Sequence, residues 1–512
     1  MPLLALRLVA MLLLAAAPAP AQSVIAEHES AVPLGLYGVS AAFLGDMDGD
    51  GVSEYAVGAT GQLQSVFVHD GAFGSERFVA GPGDNGFGHA LAGSDLDGDG
   101  LADLLVGWSL AGIISAFSGL DGAPLGQWNG LSRELASVGD LDGDGVFDLV
   151  GGNPAELAGS EQVIHGAIAV YSGASGAELR YHVGTPGSQL GDAVAGVGDL
   201  DGDGVPEYAG GAPAGQPGFV QVHSGADGSP WWSAQAAGAQ SSFGKDITAL
   251  GDVNLDGTPD LAVGAPGFFP SVVSQVVLLD GSDGAVLSHI DSTGSLGFLG
   301  TAVAAAGDVD GNGRPDVLLT RNDTAPPRLE CRDAFTHDLL FTFTGDGQGF
   351  GTDLDAGPDV DGDGAVDFLV THESSQASFP SRAWLASTRD LPWEWLGQGL
   401  AGADGKPLLR GEGPLTAGSS VTLKASQAPP SSACFLVLGA TILGAPYKGG
   451  TLVPAPDLIV AFSTDADGRL VLVGTWPAGL PEDFELVFQA WFSDAGGPSG
   501  LSASNGLLAV RP

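Results

Sequence analysis

The residues with the most chemical content are carboxylates grouped in seven short stretches of one design, Asp-x-Asp-Gly-Asp-Gly in its commonest form. Counted from the first Asp, positions 1, 3, 5 and 9 carry side-chain oxygens. In chain order these are Asp46, Asp48, Asp50 and Glu54; Asp95, Asp97, Asp99 and Asp103; Asp140, Asp142, Asp144 and Asp148; and Asp199, Asp201, Asp203 and Glu207. Then come Asp252, Asn254, Asp256 and Asp260; Asp308, Asp310, Asn312 and Asp316; and Asp359, Asp361, Asp363 and Asp367. Calcium takes roughly six to eight oxygen ligands, and a nine-residue turn supplies them when a backbone carbonyl is added at position 7. That carbonyl belongs to Val52, Leu101, Val146, Val205, Thr258, Arg314 and Ala365. Glycine at position 6 in every loop, from Gly51 to Gly364, allows the sharp turn around an ion. The pattern predicts up to seven Ca2+ sites, with loops five and six weaker because an amide replaces one carboxylate.

One such loop on its own favours the metal reading but could still be a solvated acidic turn. Seven, with the ligand positions kept acidic or amide, are not. A helix-loop-helix calcium hand is excluded because position 12 holds Val57, Val106 or Gly151 rather than a bidentate Glu. Paired dockerin loops lie closer together, and calcium rolls repeat every nine residues. Here the loops begin 45 to 59 residues apart, the period of propeller blades.

The loops must be positioned by short strands. Each unit has apolar stretches before and after the loop, then an alternating stretch such as Ala167 to Tyr171, then another such as Glu178 to Val183. That is four strands, the content of one blade. The second is apolar on both faces, as in Leu104-Leu105-Val106, which requires sheets on either side. Residues Val24 to His28 resemble a fourth strand and are expected to pair with blade seven, leaving no free edge. The expected fold is all-β, a seven-bladed β-propeller over 22–390 followed by a small β-sandwich over 391–512.

Composition supports this and narrows the partners. Glycine, at 83 residues, favours turns over long helices. A formal charge of -44 opposes binding to nucleic acid and to anionic membrane surfaces. Residues 1–21, with Arg7, an apolar run from Leu8 to Ala17 and Ala19-Pro20-Ala21, read as a signal peptide cleaved after Ala21. No later stretch is apolar enough to span a bilayer, so a secreted, extracellular, periplasmic or cell-surface location is expected. Cys331 and Cys434 fall in different expected domains and are read as buried free thiols.

Phe-Gly precedes the loop at Phe87-Gly88, Phe243-Gly244 and Phe350-Gly351, becomes Leu-Gly at Leu190-Gly191 and Leu299-Gly300, and is lost near Leu131. Gly-Ala-Pro follows it at Gly211 to Pro213 and Gly264 to Pro266. Together with the acidic turn, this resembles the FG-GAP repeats of the integrin α-subunit propeller, over residues 23 to about 390. The resemblance implies structural calcium loops on one face and ligand recognition on the other. The remainder resembles sandwich domains appended to large secreted bacterial proteins.

The functional expectation is a non-enzymatic extracellular adhesion or ligand-binding protein, its partner a glycan or a protein. Trp128, Trp231, Trp232, Phe268 and Phe269 are candidate contacts, with blade packing as their competing role. The alternatives are a secreted polysaccharide lyase or hydrolase, and a purely structural envelope component. No Gly-x-Ser-x-Gly or His-Glu-x-x-His motif occurs. His69 and His223 stand where other units have Phe117, Tyr171 or Leu279, so they read as packing residues.

Overall fold

A strand that is apolar on both faces has no place at a surface. The second strands Glu54–Ala59, Asp103–Trp108, Glu207–Ala212, Asp260–Ala265, Asp316–Arg321 and Asp367–His372 are accordingly buried at every residue. The computed structural model describes residues 24–30, 36–81, 86–158, 163–215, 217–235, 242–267, 273–292, 298–322, 326–345, 349–361, 365–373, 381–388, 393–402, 406–412, 415, 418–466, 468–477, 480–481 and 484–510. No described residue is in an α-helix. The expected signal peptide, Phe268, Phe269, Asp363 and Gly364 lie outside the described residues.

Seven four-stranded antiparallel sheets follow one plan. In the first, Tyr37–Gly45 is innermost, followed by Glu54–Ala59, Ser65–His69 and Glu76–Ala80. The other innermost strands are Phe87–Ser94, Glu134–Gly139, Ala193–Gly198, Asp246–Gly251, Leu299–Gly307 and Phe350–Gly357. Each contacts the next in chain order, and the last contacts the first, giving a ring of blades. At that seam Ala41 N–H donates to Asp353 Oδ2 at 2.7 Å and Phe43 N–H to Asp355 Oδ2 at 2.8 Å. The outermost strand of the seventh sheet is Val24–Glu29, paired antiparallel with Arg382–Ser387.

The recurring glycines have a steric cause. A Cβ on Gly58, Gly107, Gly152, Gly211 or Gly264, each in a second strand, would fall 2.1 to 2.5 Å from a carbonyl oxygen of the next blade. Those carbonyls belong to Gly88, Ser132, Gly191, Gly244 and Gly300. The glycine of Gly-Ala-Pro and the residue after the aromatic are thus two halves of one contact between blades. The aromatics Phe87, Phe243 and Phe350 are buried beside it.

The tryptophans proposed as ligand contacts serve packing instead. Trp128 lies in the outer strand Pro124–Asn129, with Trp231 and Trp232 in Pro230–Gln235. Trp128 and Trp232 sit beneath Gly176 and Gly284 of the following blades, where a Cβ would come within 2.8 and 2.5 Å of the indole. Trp232 Nε1–H also donates to Gly281 O at 2.8 Å. Trp231 is half-buried against the same core. Flat indoles cover much apolar area between adjacent sheets, which leaves these three little surface for a ligand.

The histidines form two matching stacks at blade boundaries. His28 and Tyr55 Oη share a hydrogen bond of 2.7 Å, and the His28 and His69 rings stack at 3.8 Å. His182, Tyr208 and His223 repeat this at 2.8 and 3.9 Å. Burial pushes His28 and His182 down to about 4.

Beyond the ring, one sheet orders Trp393–Gly397, Gly506–Val510, Glu485–Ser493, Ala433–Gly439 and Leu458–Ser463. A second contains Leu408–Glu412, Ser420–Ser426 and Leu470–Thr475. Leu409 and Ala425 of the second share one core with Leu436, Phe488 and Phe492 of the first, which makes a β-sandwich. It meets the turn after Ser65–His69. There Arg469 Nη2 pairs with Asp70 Oδ2 at 2.8 Å and its guanidinium lies 4.4 Å from the centre of the Phe73 ring. Ser426 Oγ donates to Phe73 O at 2.8 Å. Cys331 and Cys434 are buried and free.

Candidate metal centres

Each acidic loop joins the innermost strand to the second, so all seven stand at one end of the ring. Three hydrogen-bond steps shape them. The position 1 carboxylate accepts from the position 6 glycine, as in Gly51 N–H to Asp46 Oδ2 at 2.9 Å and Gly313 N–H to Asp308 Oδ2 at 2.8 Å. Position 3 accepts from the amide of position 5, and position 5 from that of position 7, as in Asp99 to Asp97 at 3.1 Å and Leu101 to Asp99 at 2.8 Å. The turn needs left-handed backbone at positions 4 and 6, and glycine supplies it: φ is +77° at Gly98 and +87° at Gly100.

The result is a convergence of oxygens. Carboxylate atoms lie within 4.8 Å of one another in Asp46/Asp48/Asp50, Asp95/Asp97/Asp99, Asp140/Asp142/Asp148, Asp199/Asp201/Asp203 and Asp308/Asp310/Asp316. Loop five has Asp252 and Asp256 on the same backbone pattern, with Asn254 between them. In loop seven the described residues are Asp359, Asp361, Ala365 and Asp367.

Position 9 has a second task that the spacing did not reveal. It is the first residue of the second strand, fully buried, and one of its oxygens accepts the amide of position 2 in all seven loops. The distances run from 2.6 Å for Met47 to Glu54 to 2.9 Å for Leu96 to Asp103. The other oxygen accepts from a glycine in the turn after the third strand: Gly119 to Asp103 and Gly173 to Asp148 at 3.0 Å, Gly281 to Asp260 at 3.2 Å. This carboxylate therefore ties the loop to the outer half of its blade. In blade six Ala334 replaces that glycine, and Asp316 Oδ1 is buried without a hydrogen-bond partner; in blade one Glu54 Oε1 is also buried without one, with Arg77 as its nearest cation. In blade five a Cβ at this point would lie 1.8 Å from Pro259 O, which explains why the alanine cannot approach as closely.

Burial pushes the position 9 carboxyls upward: Glu54 and Asp316 to about 7 and Asp260 to about 6, with neighbouring carboxylates adding to the rise. Asp103, Asp148 and Glu207 are raised by the same cause. Converging anions at a half-buried site are unstable without a cation. An all-oxygen donor set, close carboxylates and an orphaned buried oxygen at Asp316 fit a hard divalent ion.

Two further carboxylates emerge only from the fold. Asp280 follows the third strand of blade five, and Asp333 ends that of blade six. Asn254 Nδ2 donates to Asp280 Oδ2 at 3.1 Å, and Asn312 Nδ2 donates to Asp333 Oδ2 at 2.5 Å. The two loops that exchanged a carboxylate for an amide thus each hold an extra carboxylate against that amide. Blades two, three and four have Ser118, Ser172 and Ser224 at this point. A sequence signal exists, since the residue recurs at a fixed place after the third strand, but its partner is set by hairpin register.

Comparison with known proteins gives this geometry a context. A family model described as the FG-GAP repeat matches residues 134–171 and 246–287. The chain carries FG-GAP repeats. Human integrin alpha-IIb is 30% identical over 246 residues, 46% of this chain and 20% of that protein. Integrin alpha pat-2 of Caenorhabditis briggsae is 30% identical over 222 residues, 36% of this chain and 17% of that protein. Human integrin alpha-7 is 35% identical over 150 residues, 27% of this chain and 12% of that protein. The chain therefore spans a fifth or less of the length of these relatives. Each matched FG-GAP segment runs from an innermost strand through an acidic loop to the third strand; the first ends with that strand and the second reaches the start of the fourth.

Proposed function

We propose that this chain is a secreted calcium-binding FG-GAP propeller, an adhesion or ligand-binding protein of the extracellular space, periplasm or cell surface. Its partner is a glycan or a protein. Structural Ca2+ would be held at up to seven loops by positions 1, 3, 5 and 9 and the carbonyl of position 7, and position 9 would also anchor each loop to its blade. The observation that carries this is the repeated convergence of carboxylates at one end of the ring, with a buried, unpartnered oxygen at Asp316. Bound calcium would supply the positive charge that offsets burial and mutual repulsion there.

The opposite end is where the innermost strands begin, and it is chemically different. Lys245 Nζ pairs with Asp192 Oδ2 at 2.8 Å, while burial, and then the charges of Asp353 and others, raise Glu134 well above the usual carboxylate range. This polar face, on a scaffold stiffened by metal, suits recognition of a hydroxyl-rich or charged ligand. Glycan arrays and pull-downs from cell surfaces in millimolar calcium test the reading. A ligand retained in calcium and lost in chelator is expected. No retained ligand from either source would count against it.

A further inference from the structure

The seven loops share a design but not their surroundings, and the first differs from the rest. Its third and ninth positions, Asp48 and Glu54, face the guanidinium of Arg77 from the outer strand Glu76–Ala80. Arg77 Nη1 donates to Asp48 Oδ2 and lies 3.9 Å from Glu54 Oε1. Its Nη2 donates to Gly119 O of the next blade at 3.4 Å. The side chain is 13% exposed, and Glu54 is fully buried.

We propose that Arg77 closes the first loop as a built-in cation, so that this loop takes no calcium while its neighbours do. The inference rests on the calcium reading above. The residue opposite the end of each third strand is Glu76, Pro124, Glu178, Pro230, Val286 and Leu339 in blades one to six. The following residues are Arg77, Leu125, Leu179, Trp231, Leu287 and Leu340. Blade one alone among these six places a cation there. A guanidinium stays protonated at every physiological pH, so it cannot become neutral to admit a metal as a lysine or histidine would. Its Nη1 holds Asp48 and brings a positive charge to 3.9 Å from Glu54, two carboxylates that calcium would have to bridge. For calcium to enter, Arg77 would have to leave a mostly buried position, its hydrogen bond to Asp48 and the nearby charge of Glu54.

The rest of that site is consistent with this. Asp70 occupies the place of Asp280 and Asp333, but its Oδ2 pairs with Arg469 of the sandwich. The first loop is thus flanked by two guanidinium groups, one in the blade and one from the second domain. Its acidity is balanced by protein rather than by an ion.

The test counts bound calcium per chain by equilibrium dialysis with metal analysis, using full-length protein and calcium alone as the probe. Arg77→Gln should bind one ion more than the wild type. In the wild-type background, Asp48→Asn should leave the count unchanged, whereas Asp97→Asn in the second loop should lower it by one. An unchanged count in folded Arg77→Gln overturns the proposal, whatever Asp48→Asn does. Should Arg77→Gln fail to fold, Asp48→Asn decides alone, because loss of one ion there means that loop one binds calcium. A count of zero in the wild type and every variant removes the calcium reading itself, and the proposal with it. That outcome is distinguishable, since it affects Asp97→Asn as well.

Discussion

Stability should fall between pH 7 and pH 5 because of two pairs of stacked histidines, His28 with His69 and His182 with His223. Burial holds His28 down to about 4. His69 is also held well below the usual imidazole range, by burial and then by the charge of His28, and faces Tyr55 as well. His182, also near 4, faces His223 and Arg180. The folded state therefore binds fewer protons than the unfolded chain, whose imidazoles titrate near 6.5. The stabilisation is complete above that value and is lost as the pH falls toward 4. For His28 alone the loss between pH 7 and pH 5 is about 2 kcal/mol. His182 is more open to solvent and contributes roughly half as much, so the two together give about 3 kcal/mol. The assay is urea unfolding at both pH values in excess calcium, which keeps the loop carboxylates ionised. The comparison protein carries His28→Gln, His69→Phe, His182→Gln and His223→Phe; phenylalanine already fills this third-strand place at Phe117. Its stability should drop by at least about 3 kcal/mol less than that of the wild type over the same interval, since His69 and His223 act in the same direction. Equal drops in the two proteins would refute the reasoning, because every other titrating group is common to both.

Three other outcomes follow from named contacts. Leu255 is 58% exposed and sits at position 4 of loop five with φ of +63°, where Gly49, Gly98, Gly143, Gly202 and Gly311 stand in other loops. Leu255→Gly should stabilise the protein by about 1 kcal/mol in thermal or urea unfolding, since a side chain is strained in that conformation. Asp333→Ala should weaken calcium binding at loop six roughly tenfold, read by titration calorimetry, because affinity follows the number of charged oxygens around the ion. Arg469→Ala leaves Asp70 buried without its cation, and should lower the stability of the joint between ring and sandwich by about 1 to 3 kcal/mol and speed proteolysis there.

Much of the fold could be read in the residues because its determinants are local. Position 6 must be glycine, positions 1, 3, 5 and 9 must carry oxygen, and the second strand must be apolar on both faces; each leaves a mark at fixed spacing. The same holds for Phe-Gly and Gly-Ala-Pro, whose glycines meet across the gap between blades. What stayed hidden depends on pairing at a distance. Arg77 reaches Asp48 from the outer strand, and Asp280 reaches Asn254 from the turn beyond the third strand. Neither contact has a spacing signature. Asp280 and Asp333 also qualify the expectation that loops five and six are weaker, since each returns a carboxylate to a loop that lacks one. Trp128 and Trp232 resemble ligand contacts in a sequence because a large aromatic beside a turn is ambiguous until the glycine of the next blade is placed against it. The use of position 9 as a clasp on position 2 appears only once both strands are paired.

The central claim is that the acidic loops hold calcium in the folded ring. Thermal unfolding of the full chain with millimolar calcium or with chelator tests it most directly. Ions bound only to the folded state add about 2.7 kcal/mol per site at a hundred times the dissociation constant. A melting temperature that rises steeply with calcium, and falls again when loops such as Asp97→Asn are disabled, is the result expected. An unchanged melting temperature in calcium and in chelator would contradict it.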